Sequence, residues 1–366
     1  MGYFLVAAAI SSVCAIFFVK LSSSGISWGT DSDFSGPQKV HQRAVPRLGG
    51  VGIFLAATAC AIYAGWRAPW QSEMLLLVAC GFPALAYGLA EDITLAISPR
   101  KRMMAAACSA FLGAVVIDAV ISRTSIAVVD GILAFSVVSI ALTVFAVAGL
   151  ANAVNIIDGF NGLASMVCML MFAVIAHVAH VVDDQFILMA ALSCIGALAG
   201  FFAWNFPRGL IFLGDGGAYF SGFMLAELAL LLVHRHPDVS PWFALLLFVY
   251  PTLETGFSIY RRRFIKGVSV ASPDAAHLHS LIFRRLLHCG TGGRRGLSTP
   301  TCNPATSVYL WLLSLLALVP AALFWYSTPL LVLFTVLFAV VYLWLYNCIV
   351  RFQTPSWLQL RPKQQA

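Results

Sequence analysis

Apolar residues in this chain form runs too long for an ordinary soluble domain, near residues 3–21, 48–65, 73–90, 104–121, 131–150, 161–182, 186–204, 217–233, 241–260, 308–326 and 329–350. A bilayer core takes roughly 20 apolar residues per helix, so each run predicts one transmembrane helix, about eleven in all. The expected fold is all-α, a polytopic membrane helix bundle. It forms a single integral-membrane domain over residues 1–350, with a tail at 351–366. Polar residues collect between the runs, near 22–47, 91–103, 151–160, 205–216 and 261–307.

Composition agrees with this pattern: 60% hydrophobic residues, 10% charged and a mean hydropathy of +0.89 cannot be covered by a water-facing surface. Charge then orients the bundle. With the N-terminus outside, Arg67, Arg123 and Arg235 are the only basic residues in external loops, which leaves the rest at the cytoplasmic face and makes the C-terminus cytoplasmic. The net charge of +7 is thus a topology signal, with attraction to anionic membrane lipids as a side effect. It does not point to nucleic acid, because the basic residues are divided among loops and no nucleic-acid module accompanies them. The first run lacks a basic leading region and carries Lys20 on its far flank, which reads as an uncleaved anchor. The nine cysteines show no CxxC spacing and read as small buried apolar residues, without a disulfide framework or zinc site.

All five cytoplasmic loops carry complementary chemistry. Lys39 and Arg47 lie in the first, Glu91 and Asp92 with Arg100, Lys101 and Arg102 in the second. The third holds Asn152, Asn155, Asp158, Gly159, Asn161 and Gly162; the fourth Asn205, Phe212, Gly214, Asp215, Gly216 and Gly217; the fifth His277 and His279. Four carboxylates offer the hard oxygen ligands that Mg²⁺ takes, usually one or two with water and phosphate completing the shell. The basic groups suit phosphate charge, the asparagine amides suit a base, sugar or phosphate, and the glycines admit close backbone approach at helix starts. Singly, Glu91-Asp92 is equally a solvated helix end, and Arg100–Arg102 or Arg261–Arg263 a basic anchor at the inner face. Glu254 lies close enough to the inner face to join the site. Co-occurrence on one side favours a diphosphate and metal site at the membrane surface.

These residues carry a family resemblance. Lys-x-His followed by Pro-Arg-x-Gly-Gly, the Glu-Asp pair, Asn-x-x-Asn-x-x-Asp-Gly-x-x-Gly-Leu-Ala, Phe-Leu-Gly-Asp-x-Gly and His-x-His, in that order over roughly residues 33–285, resemble the polyprenyl-phosphate N-acetylhexosamine-1-phosphate transferases. That family includes enzymes that start O-antigen, enterobacterial common antigen and teichoic acid linkage units, and the phospho-MurNAc-pentapeptide translocase. The resemblance implies an enzyme of the bacterial inner membrane that transfers a sugar-1-phosphate from a UDP-sugar to undecaprenyl phosphate. It would release UMP, require Mg²⁺ with Mn²⁺ as the alternative, and start a surface glycan of the lipopolysaccharide, capsule or cell-wall kind. GlcNAc is the commonest sugar of such enzymes, UDP-linked deoxy-amino sugars stay open, and so does a homodimer.

By position, Asp215 corresponds to the family's Mg²⁺-ligating aspartate, with Asn155 beside it, and Glu91 with Asp92 to the acidic pair near the lipid phosphate. Asn152, Asn155 and Asp158 fall on the nucleotide and metal side, Asn205 and Phe212 around the uridine, and His277 and His279 over the diphosphate. Lys39 and Arg47 meet phosphate. Three positions depart from the family pattern: Glu91 replaces an aspartate, Asn161 replaces a second aspartate, and Ser280 replaces a third histidine. The reaction expected is direct in-line attack by the lipid phosphate, with Asp92 positioning it or taking a residual proton, Glu91 assisting and Asp158 in support. A secondary transporter with intramembrane acids is the alternative, though such sites usually lie near the midplane between repeated helix sets, and no repeat is evident. A non-catalytic scaffold does not call for carboxylates beside phosphate-type bases.

Overall fold

Every predicted apolar run falls on helix. The computed structural model describes residues 1–24, 29–31, 44–64, 71–265, 267, 276–287, 299–353 and 355. Its helices are α1 (Gly2–Ser23), α2 (Gly49–Ala64), α3 (Gln71–Cys80), α4 (Phe82–Thr94), α5 (Pro99–Val116), α6 (Ala127–Leu133), α7 (Ser136–Ile157) and α8 (Leu163–Val181). They continue as α9 (Gln185–Asn205), α10 (Gly214–Arg235), α11 (Trp242–Leu247), α12 (Val249–Tyr260), α13 (Leu278–Leu281), α14 (Thr299–Leu323) and α15 (Thr328–Val350). One two-residue ladder, β1 (Thr30–Asp31) with β2 (Val45–Pro46), leads into α2.

Among the described residues, 8 helices are long and apolar enough to cross a membrane, α3 and α4 acting together as one of them. This is a multi-pass membrane protein. The other three predicted runs fall on α2, which has 16 residues, on α5, and on the α11–α12 pair, which breaks at Phe248. Helix α5 begins five residues before the apolar run predicted from 104, because Pro99 is favourable at a first helical position and carries Arg100, Lys101 and Arg102 into the first turn. The expectation for cysteine needs one correction. The free cysteines are buried or half-buried apart from exposed Cys108, but Cys302, itself fully buried, is disulfide-bonded.

Helix α10 is the axis of the bundle, buried on nearly every face against α2, α4, α7 and α8. Its two ends are held by opposite charges. At the start, the Asp92 carboxylate accepts the Asp215 and Gly216 N–H groups, each at 2.9 Å. At the end, the Arg123 guanidinium donates to the carbonyls of Val233 at 2.9 Å and His236 at 3.0 Å. Both placements complement the helix dipole and satisfy groups that a helix leaves open.

Glycine lets three helices meet backbone to backbone at the start of α10. A methyl on Gly88 of α4 would stand 2.5 Å from the Cα of Gly216, and one on Gly50 of α2 would strike Gly217. Gly214 has φ +75, a left-handed conformation that glycine adopts without a Cβ penalty, and a Cβ there would also strike the Arg47 carbonyl and the Asp92 carboxylate. In α9, Gly196 and Gly200 meet the backbone of α1 in the same small-xxx-small fashion.

Gly88→Ala should therefore lower the midpoint of thermal unfolding in detergent, by overpacking worth about 1–3 kcal/mol. Gly149→Ala in α7 is the control: nothing lies within 4 Å of an added methyl there, so helix propensity should leave it neutral or slightly stabilised.

Candidate active site at the start of the central helix

The predicted loops do converge. Residues 45–50 run beside 212–213: Phe212 N–H donates to the Pro46 carbonyl at 2.8 Å, Gly49 N–H to the Phe212 carbonyl at 3.1 Å, and Gly50 N–H to the Leu213 carbonyl at 3.0 Å. This pairing carries Arg47 to the start of α10, where its Nε lies 3.3 Å from Asp92 Oδ1 and its Nη2 3.6 Å from Asp215 Oδ1. Asn155, from the last turn of α7, donates through Nδ2 to Asp215 Oδ1 at 2.8 Å. Arg102, from the first turn of α5, pairs with Asp215 Oδ2. Asp215 is thus ringed by two arginines and an amide, and α2, α4, α5, α7 and α10 all contribute at or beside their ends.

The two acids at the end of α4 hold backbone. Asp92 is 3% exposed and receives the first N–H groups of α10. Glu91 accepts the Ile97 N–H at 2.6 Å and closes the turn between α4 and α5. Their work on the protein is therefore to set Asp215 and the first turn of α5 in place.

Asp158 follows α7 immediately. Burial pushes its carboxyl up to about 7, with Arg47 pulling the other way. On its far side, Gly159 faces His279, whose Nε2 would lie 3.4 Å from a methyl on that glycine. His279 stacks on His277 with ring centroids 5.1 Å apart and meets Phe160 edge-on at 5.5 Å. The histidine segment therefore packs against the turn that follows Asp158. Asn152 accepts the Tyr219 hydroxyl at 2.9 Å, which ties α7 to α10 one turn above Asp215.

One predicted side chain is engaged elsewhere. Asn205 uses both ends of its amide on backbone, accepting the Gly162 N–H at 2.5 Å and donating to the Ile211 carbonyl at 2.7 Å, so it holds the loops together. Phe212 is half-buried beside the Pro46 pairing. Lys39 lies outside the described residues. Asn161 turns away from Asp158: its Nδ2 donates to the Pro207 carbonyl and its N–H to Asn303 Oδ1, each at 2.9 Å, while its carbonyl accepts from Ser307. An aspartate could not make the first of these bonds.

Arg102 belongs to the site although its basic run read as an anchor. The signal was helical period, since Arg102 shares a face with the buried Ala106, Ser109, Ala110 and Gly113, whereas Arg100 and Lys101 point out. Arg261 and Arg262 also differ from exposed anchors. Both are buried, Arg261 donating to Tyr346 at 2.8 Å and Arg262 to Ser258 at 3.0 Å. Glu254, near the inner end of α12, bonds His277.

The donor set suits Mg²⁺. Asp215, Asp158 and the Asn155 amide oxygen are hard ligands, and no three His, Cys, Asp or Glu side chains form a protein-only cage among the described residues. Mg²⁺ ordinarily keeps water and substrate phosphate around one or two carboxylates, which is the provision made here.

Asp92→Asn should lower thermal stability as well as turnover, because its NH₂ group would face one of the two helix N–H donors and leave it unsatisfied, at about 1–3 kcal/mol. Asn161→Asp should destabilise by a similar amount and give no gain in turnover, since the new carboxylate would face the Pro207 carbonyl.

Residues 74–233, which include Asp92, Asp158 and Asp215, match the family model described as Glycosyl transferase family 4. A Bacillus subtilis (strain 168) protein named as a probable undecaprenyl-phosphate N-acetylglucosaminyl 1-phosphate transferase is 24% identical over 249 residues, 66% of each chain. A Thermotoga maritima protein named undecaprenyl-phosphate alpha-N-acetylglucosaminyl 1-phosphate transferase is 29% identical over 100 residues, 27% of this chain and 33% of that one. The alignments thus span just under two thirds and about one third of these relatives. The matched segment covers less than half of this chain and holds the three aspartates, in a bundle of membrane-length helices.

Proposed function

We propose that this protein transfers a sugar-1-phosphate from a UDP-N-acetylhexosamine, GlcNAc being the first to test, to undecaprenyl phosphate, with release of UMP. The observation that carries the reading is the meeting of Arg47, Arg102, Asn155 and Asp215 at the start of α10, beside Asp158 and the His277–His279 segment. It is an arrangement for two phosphates and a cation. The relatives' names point to the same donor and acceptor classes.

A phosphate monoester has a second pKa of about 6, so the acceptor is mostly a dianion near neutral pH and needs little help in losing a proton. The difficulty is bringing it up to another anion. In the reading proposed, an oxygen of the lipid phosphate attacks the β-phosphorus in line, the bond from that phosphorus to the bridging oxygen breaks, and UMP leaves with the electron pair. Arg47 and Arg102 exchange their carboxylate partners for phosphate oxygens as substrate arrives, and His277 and His279 approach the diphosphate from the opposite wall. Asp92 keeps the first turn of α10 fixed, so that Asp215 stays in register with Asp158. Mg²⁺, held by Asp215 and Asp158, would supply neutralisation of charge on the leaving group. The site would face the cytoplasm of a bacterium, with the N-terminus outside.

Membranes incubated with UDP-GlcNAc labelled on its β-phosphate, Mg²⁺ and undecaprenyl phosphate should yield labelled lipid diphosphate and one UMP per transfer. Label that crosses the membrane without chemistry would instead establish a transporter. A sugar-phosphate-labelled protein trapped without acceptor would refute direct attack.

A further inference from the structure

Glu254 is a buried acid with no part in the reaction as described, 1% exposed near the inner end of α12. Its carboxylate gathers donors from three places. Oε1 accepts the Leu278 N–H at 2.7 Å and lies 3.1 Å from His277 Nδ1, while Oε2 accepts the Tyr342 hydroxyl of α15 at 3.0 Å. A backbone N–H can only donate, so Oε1 acts as an acceptor, and with Oε2 accepting from Tyr342 the group has the environment of an ionised carboxylate. The ring nitrogen of His277 that faces it must then carry the hydrogen. Behind it, Tyr346 of α15 bonds the Ala276 carbonyl at 3.3 Å and receives Arg261 at 2.8 Å, which secures the residue before His277.

We propose that Glu254 is a positioning residue of the transferase: it fixes His277 with hydrogen on Nδ1 and favours the cationic ring, so that the remote nitrogen meets donor phosphate as a hydrogen-bond donor. The role presumes the sugar-phosphate transfer proposed above. The charged and titratable groups around His277 are Glu254 from α12, Tyr342 and Tyr346 from α15 with Arg261 behind, and His279 in its own segment. Among the described residues, Glu254 is the only carboxylate of that set. Orienting carboxylates of comparable geometry on metal-bound imidazoles are worth about 10- to 100-fold, and a similar loss is expected here.

The test uses the full-length protein in detergent or nanodiscs, with Glu254→Gln, Glu254→Asp, His277→Ala and the Glu254→Gln/His277→Ala double variant. Glu254→Gln should lower kcat about 10- to 100-fold with a smaller change in KM, the range taken from that comparison. It should also move the alkaline limb of the kcat/KM profile to lower pH, because an imidazolium without its carboxylate loses its proton more easily. Glu254→Asp should restore part of both. In the His277→Ala background Glu254→Gln should have no further effect, as expected when one residue acts through the other. Additive losses, or an unshifted profile, would overturn the proposal. Should Glu254→Gln fail to fold, Tyr342→Phe removes one donor from the same carboxylate and should shift the profile in the same direction by less; no shift there counts against the proposal. Spectra of ¹⁵N-histidine protein, with the His277 signals assigned by their loss in His277→Ala, report the tautomer without turnover. If the wild type transfers no sugar-phosphate, the function proposed above fails. If His277 lacks hydrogen on Nδ1 in those spectra, the role of Glu254 fails by itself.

Discussion

Two N–H groups at the start of a buried helix and one carboxylate determine most of what happens at this site. The first turn of α10 leaves donors without helical partners, in a place where neighbouring helices exclude water. Asp92 supplies an oxygen to each of two of them, and its negative charge meets the positive end of the helix dipole. Because Asp215 is itself one of the residues held, its side chain is set relative to α4 rather than to a loop. Arg47 is then drawn to the pair of aspartates, and Arg102 and Asn155 approach Asp215 from α5 and α7. Removing the carboxylate would release the helix start and the ligand group together.

The site is partly compensated within itself. Three aspartates, Asp92, Asp158 and Asp215, stand against two guanidiniums, and burial raises the Asp158 carboxyl. Such an arrangement is suited to partner exchange. In the reaction proposed, a phosphate would take the arginines from their carboxylates and a cation would take the carboxylates from their arginines, so each ligand would improve the site for the other. Charge balance would then link donor and cation.

The bundle was legible in the sequence because bilayer thickness imposes a length on each apolar run, and the runs coincide with helices. What was harder to read has local causes. The break at Phe248 leaves hydropathy unchanged. Asn205 looked like a ligand group because an amide that holds backbone and an amide that holds a base are the same letters, and only the Gly162 and Ile211 contacts separate them. Asp92 raises the same ambiguity: a carboxylate at a helix boundary is as good a cap for another helix as it is a base. The grouping of motifs was readable because each sits at a helix end facing the same side. Arg102 could have been recovered from its shared face with Ser109 and Gly113.

The glycine contacts between Gly50 and Gly217 and between Gly88 and Gly216 leave no side chain that could repack between α2, α4 and α10. That wall of the site has no compliance. Any enlargement of the site must come from the opposite wall, where Gly159, Phe160, His277 and His279 meet through rings and a single small residue. A change of shape is thereby confined to the histidine side, while the start of α10, with Asp92 and Asp215, stays where the three helices hold it.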